Sequence, residues 1–153
     1  RSSVSFETVL ASGDDDRQIS TDTVGGNKPG TDDHGFNSLG FASTGLAFAP
    51  SVSNIMLFRL GAKTTPFAEH NTLNGIQIGG NVTVFNKMSS DAPIDEPTKD
   101  QTYLGLEPDV YFNWRITSDL TFITRAGLFF PSDAIEDTAA TRYFVFLGWT
   151  LSF

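Results

Sequence analysis

Apolar and polar side chains alternate with a period of two residues along six segments of the chain. The alternation is clearest in the fourth segment, where Leu104, Val110 and Phe112 fall on one face and Asp109 and Asn113 on the other. This period is that of a β-strand whose two faces meet different surroundings. We therefore predict strands at residues 2–13, 53–65, 75–88, 102–116, 119–130 and 141–153.

The length of these segments and the spacing between them favour a membrane protein. A tilted strand needs about 9–11 residues to cross a bilayer, whereas strands of soluble proteins average about 5–6. Long polar connections follow the first, third and fifth segments, while Thr117-Ser118 makes a tight turn between the fourth and fifth. Outer-membrane barrels have this asymmetry, with long loops outside the cell and short periplasmic turns. The predicted fold is all-β, a transmembrane antiparallel up-and-down β-barrel.

Six strands are too few to close such a barrel, because the smallest type has about eight. An open sheet would also leave unpaired backbone groups in hydrocarbon. We therefore expect residues 1–153 to be the C-terminal segment of one larger barrel domain. The remaining strands come from the same protein or from other chains, and the start at Arg1 without a Met favours the same protein.

Composition excludes several other classes of function. The chain has no Cys, so disulfide frameworks, thiolate metal sites and thiol nucleophiles are excluded. A net charge of −8 argues against nucleic acid as a partner. No Ser-His-Asp arrangement, phosphate-binding loop or pair of catalytic carboxylates can be defended, so we predict that the chain is not an enzyme.

The last segment ends in an aromatic residue and has apolar residues at alternate positions before it. It resembles the C-terminal signal by which outer-membrane barrels are recognised for assembly; the alternative is an ordinary strand that ends in Phe. The resemblance implies that the barrel-assembly machinery is a partner and that outer-membrane lipid and lipopolysaccharide surround the chain. The signal residues are Leu147, Trp149, Leu151 and Phe153.

Three further stretches resemble the alginate-export family of outer-membrane barrels (porins). They are Ala-Ser-Gly-Asp-Asp-Asp at 11–16, Gly-Leu-Glu-Pro-Asp at 105–109 with Trp114-Arg115, and Arg-Ala-Gly-Leu-Phe-Phe-Pro at 125–131. Members of that family are eighteen-stranded, so the resemblance implies that the chain is about the last third of such a barrel. It also implies a Gram-negative outer-membrane location and transport, by export or diffusion, of an anionic polysaccharide or similar solute.

Charged residues separate between the predicted inner face and the loops, because most of the eighteen acidic residues lie in the long connections. A ring of Lys and Arg favours anions in a pore, and Arg binds carboxylates in a bidentate manner. The alternative is that facing charges pair across the wall as structure; for Glu107 and Asp109 we expect Arg115 or Arg125 as the partner. The predicted pore-lining or substrate-contacting residues are Arg59, Lys63, Lys87, Arg115, Arg125, Arg142, Glu107 and Asp109.

Three local features of the sequence lead to separate expectations. Residues 35–50 are apolar enough to be either a strand extension or a loop folded into the pore. Asp14, Asp15 and Asp16 could bind Ca²⁺, since clustered carboxylates suit it, but calcium-loop spacing is missing and solvated acidic loops are common. We therefore expect no metal and no cofactor. Pro108 lacks the amide hydrogen that a strand ladder uses, so we expect a bulge there.

Two functional hypotheses follow. The first is a passive outer-membrane channel for an anionic carbohydrate or related solute. The second is a structural anchor or interaction barrel within a larger envelope assembly, which a plugged lumen would favour. A soluble β-sandwich is the alternative outside the membrane, but it should have polar outward faces instead of rows of bare aromatics.

Overall fold

The computed structural model of the chain describes residues 1–18, 26–36, 38, 42–136 and 140–153. The described residues form one six-stranded antiparallel sheet, in which each strand pairs with the next along the chain. They contain no helix that is long and apolar enough to cross a membrane. The strands are β1 Ser2–Ala11, β2 Ile55–Thr64, β3 Ile76–Asn86, β4 Tyr103–Arg115, β5 Leu120–Pro131 and β6 Arg142–Leu151.

The all-β prediction is confirmed, and each strand begins and ends within two residues of its predicted bounds. The pairing of neighbouring strands explains why the two-residue alternation predicted the two faces of the sheet. Because side chains of a strand point alternately to opposite faces, the register gathers apolar residues on one side and polar residues on the other. One row that crosses all six strands is Val4, Ala62, Gly80, Val110, Ala126 and Val145. A neighbouring row is Ser3, Lys63, Gly79, Tyr111, Arg125 and Phe146.

We call the side of the sheet that carries the first row the outer face and the opposite side the inner face. The outer face is bare: Val110 is 60% exposed and Val145 is 66% exposed. The inner face is partly covered by the connections. The connections from β1 to β2, from β3 to β4 and from β5 to β6 leave the sheet at one end, the loop end. Residues 65–75 and 116–119 connect strands at the other end, the turn end.

The short connection at the turn end closes around Thr117. The backbone N–H of Ile116 donates to the carbonyl of Leu120 at 2.9 Å, and the N–H of Leu120 donates to Thr117 Oγ1 at 3.0 Å. The hydroxyl therefore takes the place of a backbone acceptor, which is what Thr and Ser do in tight turns. This turn lies where the sequence predicts it.

A bulge in β4 changes which residues face inward. Phe85 of β3 pairs with Gly105, but the next residue, Asn86, pairs with Tyr103. Leu104 is thus an extra residue on β4, and Gly105 has a φ of 151°, a backbone conformation that favours glycine. The sequence predicts Leu104 on the outer face, and this is wrong: its side chain is fully buried against the inner-face core.

The bulge expected at Pro108 is absent. The register between β4 and β5 is the same at Leu106 and at Asp109, so no residue is inserted between them. On the other side, Pro108 pairs with Val82 in the same register as its neighbours. Pairing with β5 is interrupted at Glu107 and Pro108 but resumes at Asp109 without a shift in register, and the bulge of β4 lies nearer the loop end.

A buried apolar cluster lies at the loop end of the inner face, where strands and long connections meet. Its members come from five strands, β1 to β5, and from the connections that fold over them. Burial of these side chains is what fixes the connections on the sheet, since each fully buried aliphatic or aromatic side chain contributes about 1.5–3 kcal/mol. The cluster is Ala11, Phe48, Ile55, Leu57, Phe85, Ile94, Leu104, Phe129, Ala134 and Ile135.

Asn54 ties two of the long connections together just before β2. Its backbone N–H donates to Ser12 O at 3.0 Å, and its side-chain amide donates to Ala92 O at 2.7 Å and Ser89 O at 3.1 Å. Its Oδ1 accepts from the N–H of Ser89 at 2.8 Å. Asn54 has a φ of 49°, which Asn tolerates better than most residues. It therefore combines the required backbone conformation with the buried hydrogen bonds.

Candidate functional site on the inner face

Part of the first long connection folds onto the inner face, and we call residues 42–50 the strap. The backbone N–H groups of Leu46, Ala47 and Phe48 donate to the carboxylate of Glu107 at 2.6, 3.0 and 2.7 Å. Successive N–H groups that converge on one anion form a nest, and here it satisfies a fully buried carboxylate. Of the two possibilities for residues 35–50, the described part of the strap takes the inward-folded one.

Arg59 of β2 holds the beginning of the strap from the other side. Its Nη2 donates to the carbonyl oxygens of Ser43, at 3.2 Å, and Thr44. Its Nη1 donates to Glu7 at 2.8 Å and its Nε to Thr83 Oγ1 at 3.1 Å. The guanidinium therefore joins three adjacent strands to the strap, which uses its planar set of donors fully.

The aromatic ring of Phe48 anchors the end of the strap. It stacks on Phe129 with ring centroids 4.3 Å apart, and its edge meets Phe85 at 5.0 Å. The guanidinium of Arg142 lies 5.8 Å from the centre of the Phe48 ring and makes a bidentate pair with Glu96 at 2.7 and 3.1 Å. Arg142 thus serves to connect β6 with the strap and with the second long connection.

Glycines allow the strap to approach the inner face of the sheet closely. A Cβ at Gly45 would collide with the carbonyl of Phe48 and would stand 2.9 Å from Glu107 Oε1. A Cβ at Gly127, on the inner face of β5, would stand 3.1 Å from Leu46. Both positions therefore favour a residue without a side chain.

A cleft of about 330 Å³ remains between the strap and the wall on its turn-end side. Its polar walls come from four adjacent strands, β2 to β5. Asn81 donates to Asp109 at 2.8 Å within it. Lys63 and Arg125, one on each side of Tyr111 in the same row, are both exposed. The side chains that border the cleft include Arg59, Gln77, Asn81, Tyr111, Asn113 and Arg125.

The predicted pairing of Glu107 and Asp109 with Arg115 or Arg125 is wrong. Among the described residues, neither carboxylate forms an ion pair within 4.0 Å. The donors to Glu107 are backbone N–H groups of the strap and not an Arg side chain. Asp109 accepts a hydrogen bond from a neutral side-chain amide. Arg115 stays exposed at the turn end of β4.

Lys87 does not lie on the open inner face as the alternation predicts. β3 ends at Asn86, and the side chain of Lys87 enters the loop end, where only 2% of the residue is exposed. Its Nζ donates to Thr98 Oγ1 at 3.1 Å and to Lys99 O at 3.2 Å. Burial lowers the pKa of Lys87, and the nearby carboxylate of Asp100 partly offsets this. Lys87 is a structural cation of the loops.

Asp14 organises the acidic stretch after β1 through donors of the protein itself. Its carboxylate accepts the backbone N–H of His34 at 2.7 Å, the amide of Asn27 at 2.9 Å and the N–H of Asp16 at 2.8 Å. These bonds, the one from His34 foremost, lower the pKa of Asp14 to about 2. The oxygens that a metal ion would need are thus occupied.

The two neighbouring carboxylates interact with other side chains. Asp15 accepts a hydrogen bond from the hydroxyl of Ser89, and Asp16 pairs with Lys28 at 3.3 Å. In the part of the chain that the structure describes, no three His, Cys, Asp or Glu side chains converge as a metal site would require. The Ca²⁺ possibility at Asp14, Asp15 and Asp16 therefore receives no support from the geometry.

The residues of the predicted assembly signal lie on and beyond β6. Leu147, Trp149 and Leu151 share the exposed outer face, and Phe153 follows the end of the strand. Trp149 packs on Phe122 of β5 with ring centroids 4.5 Å apart. These residues thus form an apolar row on the outer face near the turn end.

The sequence did not single out the backbone donors of the strap, nor Tyr111 and Asn113. The signal for the two side chains was present, because they alternate with outer-face residues on β4. The signal for the strap was weaker, since a nest is made by backbone groups that any residue carries.

A comparison of the chain with known proteins finds no matching family model and no matching curated protein. The relation to alginate-export barrels therefore stays a prediction from the stretches at 11–16, 105–109 and 125–131.

Proposed function

We propose that this chain is one sector of the wall of an outer-membrane β-barrel channel, with its outer face in lipid and its inner face toward an aqueous lumen. The observation that carries the proposal is a bare apolar face that extends over the whole sheet. Exposed apolar patches on soluble monomers rarely exceed a few hundred Å². Here every strand contributes an exposed large apolar side chain, as Val4, Leu60, Val82, Val110, Leu128 and Val145 illustrate.

The sheet edges support a larger barrel. β1 and β6 each have a strand neighbour on one side only among the described residues. In hydrocarbon every unpaired backbone N–H or C=O costs several kcal/mol, so edge strands of this length require partners. Further strands would close the sheet, and the resemblance to the alginate-export family suggests eighteen in total.

Aromatic residues on the outer face support the membrane orientation. Trp114, Phe122 and Trp149 belong to one row near the turn end. Phe130 and Tyr143 lie on the same face near the loop end. Two aromatic girdles that border an apolar band are typical of outer-membrane barrels. We therefore place the long connections outside the cell and the turn end at the periplasm.

The charges that remain available on the inner face support transport of an anion. Arg59 and Arg142 are occupied by Glu7 and Glu96, and Glu107 is enclosed by the strap. Among the described strand residues, the exposed cations on the inner face are Lys63, Arg115 and Arg125, and they outnumber Asp109, the carboxylate that lies there without an ion pair. A lumen with this surplus favours anions, such as an anionic polysaccharide or a similar solute.

Reversal potentials in planar bilayers test the proposal. The complete barrel that contains this chain should be anion-selective under a salt gradient. Replacement of Lys63, Arg115 and Arg125 by Gln should lower that selectivity. As a matched control, Lys99→Gln removes a cation from the external loops and should leave it unchanged. Cation selectivity of the unaltered barrel would contradict the proposal.

The strap gives the second candidate function a specific basis. The strap and the apolar cluster cover the inner face at the loop end, as a plug would. A structural anchor or interaction barrel should remain non-conducting even when Glu107→Ala releases the strap. A channel should conduct in both forms.

A further inference from the structure

A second cavity, of about 320 Å³, lies at the loop end among the three long connections, and we call it the loop-end cavity. Its volume is at the lower end of the range of about 300–1,000 Å³ for small-molecule sites. Two of its walls are joined, because Thr98 forms a β-bridge with Ile135 and the N–H of Glu136 donates to Pro97 O at 3.2 Å. No residue of the strap or of the six strands is in its described lining, so it is separate from the cleft beside the strap.

The floor of the loop-end cavity carries a buried cation. Lys87 is almost fully buried, and no carboxylate of the described residues lies within 4.0 Å of its Nζ. Its hydrogen bonds to Thr98 Oγ1 and Lys99 O use two of the three N–H donors of an ammonium group. A buried charge without an ion partner is costly, because it has lost its water. An anionic group that enters the cavity would therefore be stabilised by Lys87.

Two carboxylates at the mouth of the cavity are open to a ligand. Asp91 and Glu136 are exposed, and neither forms an ion pair within 4.0 Å among the described residues. The other charged side chains of the lining have partners within the protein. These pairs are Arg17 with Asp33, Asp95 with Ser51 and Glu96 with Arg142. The cavity thus offers a ligand one buried cation and two exposed carboxylates.

We propose that the loop-end cavity binds a cationic amino acid, with its carboxylate on Lys87 and its two ammonium groups at Asp91 and Glu136. This ligand class matches the cavity in the number, sign and placement of its charges. A simple carboxylic acid would meet two like charges at the mouth, and a diamine would leave Lys87 without an anion. The inference goes beyond the proposed channel, because it concerns the long connections and requires no conduction.

Calorimetric titration of the complete barrel in detergent with L-lysine tests the site in the unaltered protein. The comparison ligand is L-lysinamide, which keeps both amino groups but has no carboxylate. At about pH 6 both amino groups are protonated, so lysinamide carries the larger positive charge. It should nevertheless bind at least about tenfold more weakly than L-lysine, the loss expected when a hydrogen bond between charged groups is removed. Equal or tighter binding of lysinamide would show an acidic surface that only attracts cations, and would overturn the proposal.

Lys87→Met removes the cation and keeps an unbranched side chain. It should weaken L-lysine at least about tenfold and should not weaken lysinamide, which has no carboxylate for Lys87 to hold. Lys99→Met, an exposed lysine of the same connection, is the matched control and should leave both ligands unchanged. An equal loss of the two ligands in Lys87→Met would contradict the assignment of the carboxylate to Lys87.

Asp91→Asn and Glu136→Gln test the mouth of the cavity. Each should weaken both L-lysine and lysinamide by about two- to fivefold, the effect expected for an exposed ion pair. Asp133→Asn removes an exposed carboxylate that does not line the cavity, and it should change neither affinity. Unchanged binding of L-lysine in both mouth variants would overturn the proposed placement of the ammonium groups.

Discussion

The carboxylate of Glu107 accepts a 2.7 Å hydrogen bond from the backbone N–H of Phe48, a residue 59 positions earlier in the chain. The bond is part of a nest in which Leu46 and Ala47 also donate to Glu107. A buried carboxylate with full hydrogen bonding fixes one geometry, whereas the same carboxylate without donors would be strongly destabilising. Glu107 therefore holds the strap in position, together with Arg59 and the ring of Phe48.

Removal of the Glu107 carboxylate should release the strap. We expect Glu107→Ala to lower the free energy of unfolding of the complete barrel by about 3 kcal/mol, because it removes charged hydrogen bonds and leaves strap N–H groups unpaired. A spin label at Ser43 should become more mobile at the same time. If the chain is a channel wall as we propose, single-channel conductance should rise, since the strap would no longer cover the inner face.

Glu7→Gln is the matched control, since it removes a carboxylate from the same row of the sheet. Glu7 is half exposed, and its pair with Arg59 should contribute less than about 1 kcal/mol. An immobile Ser43 label in Glu107→Ala would show that other contacts hold the strap.

Asn54 should be important for the order of the long connections at the loop end. Asn54→Ala removes the donors to Ala92 and Ser89, and the buried carbonyl groups left behind should cost about 2 kcal/mol. Asn54→Gly removes the same hydrogen bonds, but glycine adopts a φ of 49° with less strain. Its loss of stability should therefore be smaller. Urea unfolding of the complete barrel measures the loss of stability in both Asn54 variants, with Asn71→Ala as an exposed control. Equal stability of Asn54→Ala and the control would contradict this role.

The loop around Asp14 should respond to strong acid. Its pKa of about 2 lies below the ordinary value of 3.8, so its contribution to stability is fully present above about pH 4. The contribution is lost as the pH falls from about 4 through about 2, when the native carboxylate takes up its proton. The carboxyl ¹³C resonance of Asp14 should titrate with a midpoint near 2. Asn27→Ala should move that midpoint upward; an unmoved midpoint would exclude the amide as a cause.

Most of the sheet could be predicted from the sequence, while the cover of its inner face could not. The alternation around Val110 and Val145 reflects a period of two that depends only on strand geometry, so strands and faces were predictable. The inward turn of Leu104 was not, because a bulge depends on pairing with β3. The partner of Glu107 was also unpredictable, since backbone donors leave no mark on residue identity.

Gly105 should be necessary for the bulge in β4. Its φ of 151° disfavours a side chain, and a Cβ there would collide with the carbonyl of Phe130. We expect Gly105→Ala to destabilise the barrel by about 2 kcal/mol or more, since backbone strain and a steric clash act together. Ala126→Gly removes a methyl group from the outer face of β5 and should cost about 1 kcal/mol or less. Similar losses of stability in the two variants would argue against a strained bulge.

The central claim is that alternate side chains of these strands contact lipid and water. Nitroxide labels at Val110 and Leu147, and at Asn113 and Arg125, test it in the complete barrel reconstituted in lipid vesicles. Collision rates with oxygen, which enters lipid, and with a water-soluble nickel chelate report the surroundings of each label. The account predicts oxygen-dominated relaxation at Val110 and Leu147 and nickel-dominated relaxation at Asn113 and Arg125. Nickel access at Val110 and Leu147, with Asn113 and Arg125 shielded from it, would contradict the account.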